Sequence, residues 1–212
     1  MIQIDFFTFN PFQENTYILS DETKECLVID PGCYDSFEKD ELERFITDQN
    51  LKPVKLLNTH CHIDHVLGNK FVADKYKLPL ELNSKEVPLL KAVKEYAPQY
   101  GIYCEPSPEA AVFLNEGDRV RFGNSELKVL FTPGHSPGSI CFFNEKEKFI
   151  ISGDVLFQMS IGRTDLPGGD YDTLIKSIRE KLFVLDDDIK VYPGHGPMTN
   201  IGFEKKNNPF LS

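Results

Sequence analysis

Apolar residues are frequent over 2–9 and 15–19, and Asn10-Pro11-Phe12 between these runs supplies turn chemistry, so the pattern predicts two strands. Cys26-Leu27-Val28-Ile29 is a third apolar run, ended by Asp30-Pro31-Gly32. Phe37, Leu42, Phe45 and Ile46 recur with helical spacing among charges, which predicts an amphipathic helix over 36–49. A buried-strand run over 54–57 delivers the chain to Thr59 and His60. Val66, Phe71, Val72 and Tyr76 predict another helix, and Val87, Leu89, Leu90 and Val93 one more over 85–96, followed by a loop over 98–108. Strands are expected at 110–114, 119–122, 126–131, 139–143 and 148–152, with polar turn residues from Asn144 to Glu147 between the last two. A loop through Ile161-Gly162-Arg163-Thr164-Asp165 leads to a helix over 171–184, and a final strand over 189–192 runs into His195.

The two halves share an order: strands, a helix, a strand, then a loop bearing candidate ligands. Mixed strands with interspersed helices predict an α/β sandwich, two sheets face to face and covered by helices. With no repeat, low-complexity tract or linker, residues 1–212 are expected to form a single domain.

Composition narrows the partners. Lys plus Arg 23 against Asp plus Glu 33 gives a net charge of −10, which argues against nucleic acid and anionic membranes as partners. Cysteines at 26, 33, 61, 104 and 141 are odd in number with no C-x-x-C pair, so a reducing compartment is expected. The start of the chain has no basic, apolar or small-residue signature of a signal peptide and no run long enough to span a membrane, so the cytoplasm is the default location.

All five histidines sit in metal-ligand settings. His60-x-His62-x-Asp64-His65 places donors at i, i+2, i+4 and i+5. In extended backbone, residues two apart share a side, so His60 and His62 can grip one ion, and a helix starting near Asp64 would turn Asp64 and His65 toward a second. His135, Asp154 and His195 each follow an apolar strand run and stand beside or near glycine. Singly, Asp64 reads as well as a helix cap, Asp154 as a turn residue, and His135 or His195 as hydrogen-bonded histidines. Together they make a metal centre. Imidazole with carboxylate favours zinc, iron or manganese over calcium, whose ligands are all oxygen. Cys61, between two same-side histidines, reads as a spacer.

His60-x-His62-x-Asp64-His65, then His135, Asp154 and His195 in this order, resembles the metallo-β-lactamase superfamily, and within it the glyoxalase II-like hydrolases. The resemblance extends from the Asn15-Thr16-Tyr17 strand and Asp30-Pro31-Gly32 to the end of the chain. It implies a four-layer αβ/βα sandwich with its site at one sheet edge. It also implies two divalent metal ions, zinc foremost with iron or manganese as alternatives. His60, His62 and His135 would hold one, Asp64, His65 and His195 the other, and Asp154 would bridge. The bridging aspartate counts against β-lactamase activity. Full-length glyoxalase II enzymes carry a C-terminal helical domain, but 17 residues follow His195 here, so the chain resembles compact relatives.

Two ions, two aspartates and a hydroxide leave a formal charge of about +1, which favours an anionic or polarised carbonyl substrate. Metal lowers the pKa of water to ~7, so hydroxide can attack an ester-like carbonyl while Asp64 orients it or shuttles its proton. A thioester suits this chemistry because a thiolate leaves without a strong general acid. The expected activity is hydrolysis of a small thioester such as a hydroxyacyl-glutathione. A second reading follows from Gly162-Arg163-Thr164-Asp165, which resembles the loop of persulfide dioxygenases with one iron on His60, His135 and Asp154. Arg163 is a candidate for binding a substrate carboxylate, or for an internal ion pair with a nearby aspartate. Gly134-His135-Ser136-Pro137-Gly138 matches a serine-hydrolase elbow, but that motif needs a following helix where a strand is expected. A non-catalytic metal module would more often be closed and rich in cysteine.

Overall fold

β1 (Gln3–Phe9) and β2 (Glu14–Ser20) form an antiparallel hairpin with Phe9 opposite Glu14, in a computed structural model that describes residues 1–211. The chain divides into two compact units, one of Met1–Leu114 with Arg121–Ser125, the other of Asn115–Val120 with the chain from Glu126 onward. In the first, β2 pairs antiparallel with β3 (Glu25–Ile29), and every residue of β2 is buried. From β3 onward the sheet is parallel, through β4 (Lys52–Leu57), β5 (Leu80–Leu82) and β6 (Ala110–Phe113), in the order β1-β2-β3-β4-β5-β6. Parallel neighbours require crossovers. These are α1 (Ser36–Asp48), then α2 (Ile63–Val66) and α3 (Asn69–Tyr76), then α4 (Val87–Tyr96). Asp35 caps α1 by accepting from the Glu38 amide, and Leu42 and Ile46 form its buried face.

The single helix expected after His65 is two. Gly68 divides them because its N–H is tied to the Pro31 carbonyl at 2.7 Å, and a Cβ there would lie 2.5 Å from Cys33 Sγ. The helix over 85–96 forms, opened by a 3₁₀ turn at Ser84–Glu86.

The second sheet begins with β7 (Arg119–Phe122), β8 (Ser125–Phe131), β9 (Ile140–Asn144) and β10 (Phe149–Gly153). A small hairpin follows, β11 (Leu156–Phe157) with β12 (Ser160–Ile161), then α5 (Tyr171–Ser177), which continues as a π turn over Ile178–Leu182. The chain finishes with β13 (Lys190–Pro193), β14 (Thr199–Asn200) and α6 (Ile201–Asn207), and the sheet order is β14-β13-β10-β9-β8-β7. β10 and β13 run parallel as neighbours, so the residues after both strands emerge at the same end. Leu174, Ile178 and Leu182 pack with Ile150, Val191 and Ile201 to form this unit's core. Among the described residues, no helix is long and apolar enough to cross a membrane.

Candidate metal centre

In the first unit, the chain leaves β4 through Asn58 and Thr59 and presents His60, Cys61 and His62 from irregular backbone. His62 is extended (φ −69°, ψ 156°) and α2 starts at the next residue, so Asp64 and His65 project from a helical turn as the spacing predicts. The His60 ring centroid lies 4.9 Å from that of His62 and 4.1 Å from that of His65. All four donors are buried. Cys61 belongs to the apolar core of this unit, where burial pushes its thiol well above the usual range, which fits a spacer.

Asp30 organises this cluster from behind. Its backbone is left-handed (φ 49°), a conformation that Asp tolerates better than most residues. One carboxylate oxygen accepts from the Thr59 amide at 2.7 Å. The other accepts from the Thr59 hydroxyl at 2.5 Å and faces His65 Nδ1 at 3.1 Å. Thr59 Oγ1 in turn meets His60 Nδ1 at 3.1 Å. Since that hydroxyl spends its proton on Asp30, it accepts from His60. Both rings are thus held as the Nδ1–H tautomer, with Nε2 left to carry the ligand lone pair, an arrangement typical of ligating histidines. Glu14 lies next to this network, fully buried, with Oε1 3.8 Å from His65 Nδ1; burial raises its carboxyl well above the usual range, partly offset by His65. Asp30→Ala is expected to weaken metal binding about 10- to 100-fold, read by chelator competition, because both imidazoles lose their orientation.

In the second unit, His135 follows β8, Asp154 follows β10 and His195 follows β13. His135 Nδ1 lies 2.7 Å from the Arg163 carbonyl oxygen. A carbonyl only accepts, so Nδ1 carries the proton and Nε2 the lone pair. Asp154 Oδ2 sits 3.5 Å from His135 Nε2 and 3.5 Å from His195 Nε2. One carboxylate therefore stands between two imidazoles. The Gly194 amide donates to the Gly153 carbonyl at 2.8 Å, tying together the strand ends that carry Asp154 and His195. Gly162 leaves room for this arrangement, since a Cβ there would fall 1.9 Å from the Asp154 carbonyl oxygen.

The Arg163 guanidinium pairs with Asp165 through Nε and Nη2 at 2.7 and 2.8 Å, and that hydrogen bonding draws the Asp165 carboxyl down to about 2. The internal ion pair expected as one of its readings forms. Ser136 is fully buried with its hydroxyl 2.7 Å from that of Ser139, and strand β9 follows instead of a helix, so there is no nucleophile elbow. The donors in each unit, nitrogen and carboxylate with no thiolate, fit divalent zinc, iron or manganese.

Asp30 and Thr59 were not legible as site residues. Asp30 looks like a strand-ending turn residue, and its partner His65 is 35 positions away. The one available signal was an aspartate ahead of Pro-Gly at the end of an apolar run.

The Metallo-beta-lactamase superfamily profile matches residues 9–195. Hydroxyacylglutathione hydrolase GloC of Haemophilus influenzae is 38% identical over 216 residues, covering 100% of this chain and 99% of its own. The crystal structure of BLEG-1 B3 metallo-beta-lactamase superposes with a TM-score of 0.91 at 36% identity, over 99% of this chain and 100% of that one. TTHA1623, solved in a di-iron-bound form, gives a TM-score of 0.88 at 36% identity over 98% and 100%. The α/β fold class expected from the sequence is the one these structures share.

Proposed function

The chain belongs to the metallo-beta-lactamase superfamily, which implies a hydrolase with a divalent metal, and from that premise we propose a dinuclear thioesterase acting on small acyl-thioesters of the hydroxyacyl-glutathione kind. His60, His62 and His135 would hold one ion and Asp64, His65 and His195 the other, with Asp154 shared. The observation that carries this reading is the Asp154 carboxylate, 3.5 Å from both His135 Nε2 and His195 Nε2, as a bridging ligand requires. The GloC relative supports the substrate class, and the di-iron relative supports two ions.

Bound ions would supply Lewis acidity, lowering the pKa of water to ~7 and polarising the substrate carbonyl. The chain's own residues do the rest. Asp30 and Thr59 fix the His60 and His65 tautomers, and the Arg163 carbonyl fixes that of His135. Asp64 Oδ2 lies 3.7 Å from His65 Nε2, and this carboxylate is proposed to take up the proton released from attacking water. A thiolate of pKa near ~8.5 departs without a dedicated acid, so no further proton donor is required. With no disulfide among the described cysteines, the cytoplasm is the proposed location.

Elemental analysis of the purified protein, paired with a substrate panel, tests the reading. About two metal equivalents per chain are expected, with thioester turnover that chelation abolishes and metal restores. A metal-replete protein inert to all acyl-thioesters would sink the substrate claim. One bound iron with oxygen consumption on a persulfide would replace it with a dioxygenase. A β-lactam arm belongs in the panel, given the BLEG-1 relative.

A further inference from the structure

The backbone amides of Cys61 and Ile63, the two non-ligand residues inside His60-Cys61-His62-Ile63-Asp64, both bond to side chains of one helical segment. The Cys61 N–H donates to Glu86 Oε2 at 2.7 Å, in fully buried surroundings. Burial raises the Tyr96 phenol, and a hydrogen bond with the Ile63 backbone opposes that rise. Glu86 directly precedes α4 and Tyr96 ends it. Ten helical residues separate them by about 15 Å along the axis, while the two amides lie within about 7 Å of each other. The long Glu and Tyr side chains reach inward from either end of the segment to meet them.

We infer that Glu86 and Tyr96 are positioning residues for the metal centre, a splint that fixes the register of the ligand loop by holding the amides of its spacers. Cys61 and Ile63 also bury their side chains in the same apolar cluster as Leu90 and Val93 of α4. The His60 and His62 rings meet with centroids 4.9 Å apart while the Cys61 side chain lies in the apolar cluster, so anchoring Cys61 holds the placement of both imidazoles. The Ile63 amide is one of the unsatisfied donors of the first turn of α2, so Tyr96 fixes where that helix starts and hence where Asp64 and His65 point.

The simpler alternative is that these are buried amides needing acceptors. Glu86 exceeds that need. A smaller acceptor would satisfy Cys61, and a fully buried carboxyl group is costly to desolvate.

The inference rests on His60, His62 and Asp64 being ligands, and its test does not depend on thioester turnover. Metal affinity by chelator competition and apo-protein melting are measured for Glu86→Met, which loses the acceptor, for Glu86→Gln, which keeps an acceptor oxygen, and for Tyr96→Phe, which loses only the hydroxyl. Metal affinity should fall about 10-fold in Glu86→Met and in Tyr96→Phe, and Glu86→Gln should restore it to within about twofold of wild type. Affinities within twofold of wild type in Glu86→Met and Tyr96→Phe, or a Glu86→Gln as weak as Glu86→Met, would overturn the proposal in favour of a purely structural role. Tyr96→Phe decides the matter if Glu86→Met does not fold. A wild-type protein that binds metal but hydrolyses no thioester would end the thioesterase reading and leave the splint standing; one that binds no metal would end both.

Discussion

Asp154→Asn is expected to lower kcat/KM for thioester hydrolysis by about 10²- to 10³-fold, the scale on which removing one preorganised electrostatic contact acts. The amide is nearly isosteric, so the packing around β10 should survive. What changes is charge and donor strength, at an atom 3.5 Å from both His135 Nε2 and His195 Nε2. In the proposed two-ion centre an amide oxygen would not replace the shared carboxylate, so metal content should fall alongside the rate. Full occupancy with activity within threefold of wild type would remove Asp154 from the bridging role. Melting curves of the apo-protein should be almost unchanged, which separates loss of the ligand from loss of the fold.

The largest effect on stability is expected from Gly134→Ala, one residue before His135. Gly134 has φ 134°, a region essentially closed to residues with a Cβ. A methyl group there would also lie 2.3 Å from the backbone N and Cα of Leu174 in α5. The helix cannot easily retreat, because the Asp170 amide donates to the Gly134 carbonyl at 2.8 Å and Leu174 is fully buried. Backbone strain and overpacking each cost about 1–3 kcal/mol, so a combined loss of about 3–5 kcal/mol is reasonable. For a chain of this size that corresponds to a fall in Tm of roughly 10 °C. Gly101→Ala is the matched control: φ is 72° but nothing lies within 4 Å of the added carbon, so only the strain remains. Equal shifts for the two variants would show that the contact with α5 is unimportant.

Periodicity identified the elements long enough to repeat their pattern. α1 spans 13 residues and was legible almost to its ends, whereas β5 has three residues, and β11, β12 and β14 two each, too short to show a period. α6 went unread for a similar reason: seven residues with Ile201 and Gly202 buried at one end give no sustained stripe. The break between α2 and α3 was invisible because it arises from the Pro31 carbonyl, 37 residues from Gly68. The candidate metal donors stood out because their pattern is local: four lie within six residues, and the others stand at strand ends beside glycine. Their supports did not. Asp30, Glu86 and Tyr96 reach the cluster from other elements, and of their flanking residues only the Pro-Gly after Asp30 offers a signal.

The bond from His135 to the carbonyl of Arg163 has a consequence for how such a protein can change. A carbonyl belongs to every residue type, so substitution at position 163 removes the guanidinium and its Asp165 partner without removing the acceptor that locks the imidazole. Most contacts that orient a ligand constrain the residue that makes them; this one constrains only the path of the main chain. Position 163 is therefore open to drift under selection for new substrates, or to saturation mutagenesis in the laboratory, at little risk to the donor beside it.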